Sequence, residues 1–225
     1  VGGTSVSHVN SRRWLAEFLG TALLVMAVVG SGIMATNLTD DVGVQLLANA
    51  IATGGALLGL VTVFGPVSGA SFNPVVSVVM SVLDREVRLS RLLGDVVSQF
   101  AGAIVGCWTA NAMFGHPWFE TSTKIRDGGP QWLAEAVAVV GLLVIIRGGQ
   151  RTGANVAALV AAWITGAYWF TSSTSIANPA VAFGRMFSDS FAGIAPGSWP
   201  MFALMEVLGG VVAFALCRVL FPRNA

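Results

Sequence analysis

The sequence predicts an all-α polytopic membrane protein, with six transmembrane helices plus two re-entrant half-helices in an inverted repeat. Three observations carry that expectation. The composition is 55% hydrophobic and only 10% charged, with a mean hydropathy of +0.76, which suits a chain solvated by lipid rather than by water. One tripeptide core occurs twice, as Asn73-Pro74-Val75 and Asn178-Pro179-Ala180, each time opening a short apolar stretch. The run Trp14-Leu15-Ala16-Glu17 returns as Trp132-Leu133-Ala134-Glu135, and Gln99-Phe100-Ala101-Gly102-Ala103 is paralleled by Glu206-Val207-Leu208-Gly209-Gly210.

A helix needs about 20 apolar residues to cross a hydrocarbon core. Stretches at about 12–36, 43–64, 89–114, 130–148, 153–171 and 198–221 meet or approach that length. The first follows Arg12-Arg13, and its apolar run is too long for a signal peptide, so it is read as a helix. The chain begins at Val1 rather than at methionine, which suggests that the native start lies upstream. Between the second and third stretches, Gly65-Pro66-Val67-Ser68-Gly69-Ala70-Ser71-Phe72 breaks regular structure before an apolar piece at 74–83, about half a membrane thick by helical rise. Between the fifth and sixth, Ser172-Ser173-Thr174-Ser175-Ile176-Ala177 precedes a similar piece at 179–187. Each is expected to be a loop that enters the membrane and returns as a half-helix, tolerated at depth only when buried or lining a water-filled path.

Each Asn-Pro is a helix start. Proline suits the first helical position, where its missing N–H would be unpaired anyway, and asparagine is a capping residue. Three spans and a half-helix form one repeat. Because three is odd, the second copy enters from the opposite side, and the two half-helix N-termini meet near the midplane. With the N-terminus cytoplasmic, Arg12, Arg13, Arg85, Arg88, Arg91, Arg147, Arg151, Arg218 and Arg223 lie inside, and Lys124, Arg126 and Arg185 outside. That bias predicts cytoplasmic termini.

A net charge of +1 argues against nucleic acid as a partner. Cys107 and Cys217 lie inside apolar runs and read as core residues. His8 and His116 lie in polar flanks and read as surface residues, and no Cys, His or carboxylate spacing suggests a metal or cofactor. Gly55 with Gly59, and Gly102 with Gly106, have the spacing of close helix approach. Trp14, Trp118, Trp132 and Trp199 fall near span ends, where aromatic belts sit.

Physically, Asn73 and Asn178 each offer an amide donor to a passing solute while the carbonyl end is held by backbone. Each half-helix adds roughly half a positive charge at its N-terminus, a field that opposes cations. Glu17 and Glu135 are intramembrane carboxylates: either a proton relay or acceptors for the N–H groups of the re-entrant loops. Gln99 and Glu206 are expected to give similar support, and Asp95 to partner an arginine near its span end. Asn49 either adds a polar contact in the vestibule or bonds within the bundle.

The two Asn-Pro boxes, within Ser68-Gly69-Ala70-Ser71-Phe72-Asn73-Pro74 and Ser175-Ile176-Ala177-Asn178-Pro179-Ala180, together with Ala16-Glu17-Phe18-Leu19-Gly20-Thr21, resemble the aquaporin and aquaglyceroporin family over residues 11–221. The resemblance implies one channel domain over 1–225, with repeats at about 11–114 and 130–221, a pore in every subunit and a homotetramer. It also implies the loop-supporting role for Glu17 and Glu135. Carried over by offset from the boxes, the family's constriction falls on Thr53, Gly166, Ser175 and Val181. Val75 departs from the usual alanine, a change of packing rather than chemistry. Val181 departs more sharply, because the family usually has arginine there. Small side chains at these four positions imply a wide, arginine-free constriction. Arg185, one helical turn beyond Val181, either snorkels into the vestibule or makes a rim or subunit contact.

The function implied is a passive channel for water and small uncharged solutes: glycerol-like polyols, urea-like amides and neutral metalloid hydroxides such as arsenous acid. The lipid bilayer of a bacterial inner membrane is the expected location, no cofactor is implied, and no nucleophile–base pair suggests an enzyme. A secondary transporter built on inverted repeats, or a structural membrane protein with the same fold and little flux, remains the alternative.

Overall fold

The computed structural model describes residues 3–222, with side chains from Asn10 onward. His8's side chain and Arg223 therefore lie outside the described residues. Eight α-helices follow in order: α1 Gly3–Leu38, α2 Val42–Ser68, α3 Pro74–Asp84, α4 Leu89–Met113, α5 Gly129–Thr152, α6 Val156–Phe170, α7 Pro179–Gly184 and α8 Trp199–Leu220. Short 3-10 turns at Arg185–Phe187 and Pro196–Ser198 complete the described helical structure.

Local chemistry sets the ends. Asp41 caps α2 by accepting from the Val44 N–H at 3.0 Å, and Asn155 caps α6 by accepting from Ala158 at 3.1 Å. Gly69 stops α2 in the left-handed conformation at φ 89°, where its N–H reaches the Gly65 carbonyl. Asn73 and Asn178 cap α3 and α7, with Pro74 and Pro179 at the first helical position.

Among the described residues, five helices are long and apolar enough to cross a membrane. The fifth expected span is the exception. It was expected over 153–171, but α6 has 15 residues, about 22 Å by helical rise. Gly153, left-handed at φ 70°, ends α5, and Asn155 does not start α6 until Val156.

The repeat is visible in the packing. In the first half α1 packs on α2 and α4; in the second α5 packs on α6 and α8, and α2 against α6 joins the halves. At equivalent positions, Gly102 meets the Phe18 carbonyl of α1 and Gly209 the Ala136 carbonyl of α5, so closely that a Cβ on either would collide with backbone. Gly106 meets Ala22 in the same way. Among the described residues, Gly55 and Gly59 meet no other helix of the chain. A Cβ there would have nothing within 4 Å, because both face outward on α2. Trp199 is also more than a belt residue: its indole N–H donates to the Pro179 carbonyl at 3.0 Å and its ring packs on Phe100 and Phe183. Cys107 and Cys217 are buried and free, and His116 lies 3.9 Å from Glu120.

The half-helices interlock the two halves. α3, from the first, packs on α8 as well as α4; α7, from the second, packs on α4 as well as α8.

Candidate pore and its constriction

The loops before α3 and α7 fold alike. Ala70 and Phe72 have φ of 48° and 49°; Ser175 and Ala177 have 53° and 52°. In both loops left-handed residues stand four, three and one before the asparagine, the first of each set being Gly69 at φ 89° and Thr174 at φ 65°. Of these six only Gly69 is glycine, and each of the others costs roughly 1–2 kcal/mol, so something must hold the turns. Buried carboxylates do so. Glu17 accepts from the N–H groups of Ser71 at 3.1 Å and Phe72 at 2.8 Å; Glu135 accepts from Ile176 at 3.0 Å and Ala177 at 2.7 Å.

Around Glu17, the Ser68 hydroxyl donates at 2.6 Å and Gln99 Nε2 at 2.7 Å. Glu206 stands where Gln99 stands in the repeat, and it accepts the Asn178 N–H at 2.8 Å. Carboxyl oxygens that accept several N–H bonds are satisfied buried acceptors, which is how Glu17 and Glu135 can be fully enclosed. Asp95 takes Arg13 in a forked ion pair, with Nε and Nη2 both at 2.7 Å, and Arg13 also donates to the Ser68 carbonyl.

The asparagines meet at the centre. Asn73 Oδ1 accepts from Val75 and Val76, and Asn178 Oδ1 from Ala180 and Val181. Each amide nitrogen crosses to the other loop: Asn73 Nδ2 donates to the Ala177 carbonyl at 2.6 Å, and Asn178 Nδ2 to the Phe72 carbonyl at 2.7 Å. An amide carries two N–H donors, so each asparagine keeps one beyond its cross-loop bond. Val75 is buried outside the cavity beside Gly210 of α8, and Ala180 is fully buried.

Both asparagines line a cavity of about 210 Å³. It extends from Glu86 and Arg91, at the end of the bundle where the chain begins and finishes, to Arg185 at the far end. Toward that far end its wall carries Thr53, Ser175 and Val181, three of the four residues expected at the constriction. The fourth, Gly166, is exposed and lies outside the cavity. Tyr168 lines it instead, buried, with its hydroxyl 3.0 Å from Thr53 Oγ1. Two residues of helix turn a side chain through about 200°, so Gly166 and Tyr168 necessarily occupy opposite faces. The signal was present in the four-residue spacing of Val156, Val160, Ile164 and Tyr168, all of which line the cavity.

Two open alternatives close. Asn49 is buried between α1 and α2, donating to the Val28 carbonyl and to Ser31 Oγ at 2.8 Å each, and it does not reach the cavity. Its place is in the bundle, not the vestibule. Arg185 is 4% exposed and lines the cavity, which rules out a rim position; its Nε donates to the Ala192 carbonyl.

Two more cations crowd the far mouth. Lys124 donates to the Phe191 carbonyl at 2.6 Å and lies over the Phe191 ring; Arg126 donates to Gly193 at 3.0 Å and also to Ser173 and Phe191. Burial, and then the neighbouring Arg126 and Arg185 charges, push the Lys124 ammonium down to about 8.

The sequence matches the description of the major intrinsic protein family over residues 4–146. It is 52% identical to the aquaglyceroporin AqpS of Rhizobium meliloti over 209 residues, 92% of this chain and 89% of that protein. It is 28% identical to an aquaglyceroporin of Toxoplasma gondii over 186 residues, 80% of this chain and 66% of that one. The fold superposes on the X-ray structure of the aquaglyceroporin from Plasmodium falciparum with a TM-score of 0.74, at 22% identity, covering 95% of this chain and 98% of that one.

Proposed function

We propose, from the premise that this chain belongs to the major intrinsic protein family, that it is a passive membrane channel for water and small uncharged solutes. It is not an enzyme. Glycerol-like polyols are the first solute class, with urea-like amides and neutral metalloid hydroxides such as arsenous acid sharing their size and hydrogen-bonding pattern. The observation that carries the reading is the cavity past Asn73 and Asn178. Between the charged end at Arg13, Asp84, Glu86 and Arg91 and the far end at Arg185, its wall is apolar, amide or hydroxyl.

Such a wall exchanges hydrogen bonds with a neutral solute without offering a site for a coupling ion. The half-helix N-termini add a positive field at the midplane that opposes cations. Glu17 and Glu135 support the loops rather than carry protons, because backbone N–H groups occupy their oxygens. A homotetramer in a bacterial inner membrane, with both termini cytoplasmic, fits the family and the arginine distribution of the sequence.

The test is stopped-flow swelling of proteoliposomes against water, glycerol, urea and neutral arsenicals. Flux should follow each solute's own gradient. Uphill accumulation driven by an imposed proton or sodium gradient would overturn the channel reading.

A further inference from the structure

We propose that Arg185 and Tyr168 set what passes the far constriction: the guanidinium as its fixed cation and donor, the phenol ring as the wall that fixes its width. This rests on the channel reading above, gives Arg185 a stated task in the vestibule, and adds Tyr168, which counting from the Asn-Pro boxes does not reach.

Arg185 follows Val181 by four residues, one helical turn along the same face. The backbone of the Arg185–Phe187 turn is held at each of its three residues. Ile194 donates to the Arg185 carbonyl at 3.2 Å, Ser122 to Met186 at 2.9 Å and Asn111 Nδ2 to Phe187 at 2.8 Å. The Ala192 carbonyl anchors Nε from behind. Among the described residues, no hydrogen bond takes its two Nη groups and no carboxylate pairs with it. The Glu135 and Glu206 carboxylates act on it from a distance without touching it, and a buried cation with no contacting counterion is costly unless polar atoms solvate it. Here the open side is the cavity, so water and solute oxygens supply those atoms, and the planar fork suits adjacent hydroxyl oxygens.

Tyr168 stands on the same cavity wall. Its ring brings more bulk than any of Thr53, Ser175 or Val181, and the Thr53 bond fixes where the ring sits. Ser175 Oγ, buried and lining the cavity, has no hydrogen-bond partner among the described residues. One fork, a paired hydroxyl and an unpaired hydroxyl thus surround an aromatic wall. That set suits a short polyol, whose oxygens face the polar atoms while its carbons slide along the ring. Arg126 and Lys124, bonded to the 191–193 segment that also anchors Arg185, add positive charge behind it.

The experiment compares wild type with Arg185→Gln, Arg185→Lys, Tyr168→Ala and Tyr168→Phe in proteoliposomes at matched protein. Water flux, five-carbon polyol flux and potassium leak under an imposed potential are measured for each. Wild-type flux of water and glycerol down a gradient is the reference, and its absence would fail the channel reading itself. Arg185→Gln should raise potassium leak roughly tenfold or more, while Arg185→Lys, which keeps the charge, stays close to wild type. Tyr168→Ala should raise the polyol-to-water ratio roughly tenfold, and Tyr168→Phe, which keeps the ring but loses the Thr53 bond that positions it, should raise it less than Tyr168→Ala does.

Unchanged leak in Arg185→Gln with normal water flux overturns the charge assignment. So does equal leak in the Gln and Lys variants, which would make Arg185 only an anchor for Ala192. An unchanged ratio in Tyr168→Ala overturns the width assignment; Tyr168→Leu gives the same reading if the alanine variant does not reach the membrane.

Discussion

The side-chain amide of Asn178 donates to the backbone carbonyl of Phe72 at 2.7 Å, fastening the second re-entrant loop to the last residue of the first. The reciprocal bond runs from Asn73 to Ala177 at 2.6 Å. The position of each loop therefore depends on the amide of the other, the same two groups proposed to meet the solute.

An Asn178→Asp variant should lose both. An ionised carboxylate cannot donate to Phe72, and it sets a negative charge where two helix N-termini create a positive field. Glycerol flux should fall and potassium leak should rise together, with Asn73→Asp behaving alike because its bond is the mirror of this one. Normal flux and normal cation exclusion in both folded variants would remove the asparagines from the transport path.

Helix packing gives a contrast within one pattern. Gly106→Ala drives a Cβ into the Ala22 carbonyl, an overpacking that costs roughly 1–3 kcal/mol. Gly55→Ala meets nothing within 4 Å. Thermal unfolding in detergent, followed by size-exclusion monodispersity, should show a clear loss for the first and almost none for the second. Equal losses would contradict the packing described.

The architecture was legible because its signals are local or repeated. The Asn-Pro boxes, the two Trp-Leu-Ala-Glu runs and the Gly102 spacing each appear in the sequence as they act in the structure. What was not legible depends on rotation and on partners distant in the chain. Gly166 was placed by counting back from Asn178, which assumes a fixed length for the loop after α6; α6 instead ends at Phe170 and brings Tyr168 to the cavity. Asn49 finds Val28 and Ser31 on another helix, and Arg185 finds Ala192 across a loop, neither implied by spacing. Gly55 and Gly59 carry the motif of close approach, but a motif cannot say which face meets a neighbour.

Val181→Arg places a second guanidinium one turn from Arg185. It adds volume and donors to a wall already carrying Tyr168, so larger neutral solutes should lose flux before water does. The readout is the ratio of glycerol or arsenous acid flux to water flux at matched protein. A constant or rising ratio would show that Val181 does not border the narrow part of the path.

Lys124 is the chain's single lysine. It is held near 8, below its usual 10.5, by burial and by Arg126 and Arg185. Amine-reactive labelling mapped to the Lys124 peptide should be half-maximal close to pH 8. In stability the sign follows from proton binding: between about 8 and 10.5 the unfolded chain holds a proton that the folded chain has released. Stability should therefore rise with pH across that window, and Lys124→Met should flatten the rise. Half-maximal labelling at the ordinary lysine value would contradict the crowded environment.

The interlocking of α3 with α8 bears on how the protein is made. When the first half leaves the ribosome, Asn73 has no Ala177 to reach and α3 has no α8 to lean on, since both belong to chain not yet synthesised. The nascent first half therefore waits in the bilayer with a polar loop whose cross-links are unmade, and the last helix to emerge closes both halves at once. Two fragments cut in the 114–128 connection and expressed together should restore flux by assembling with each other, whereas either fragment alone has half of every central contact and conducts nothing.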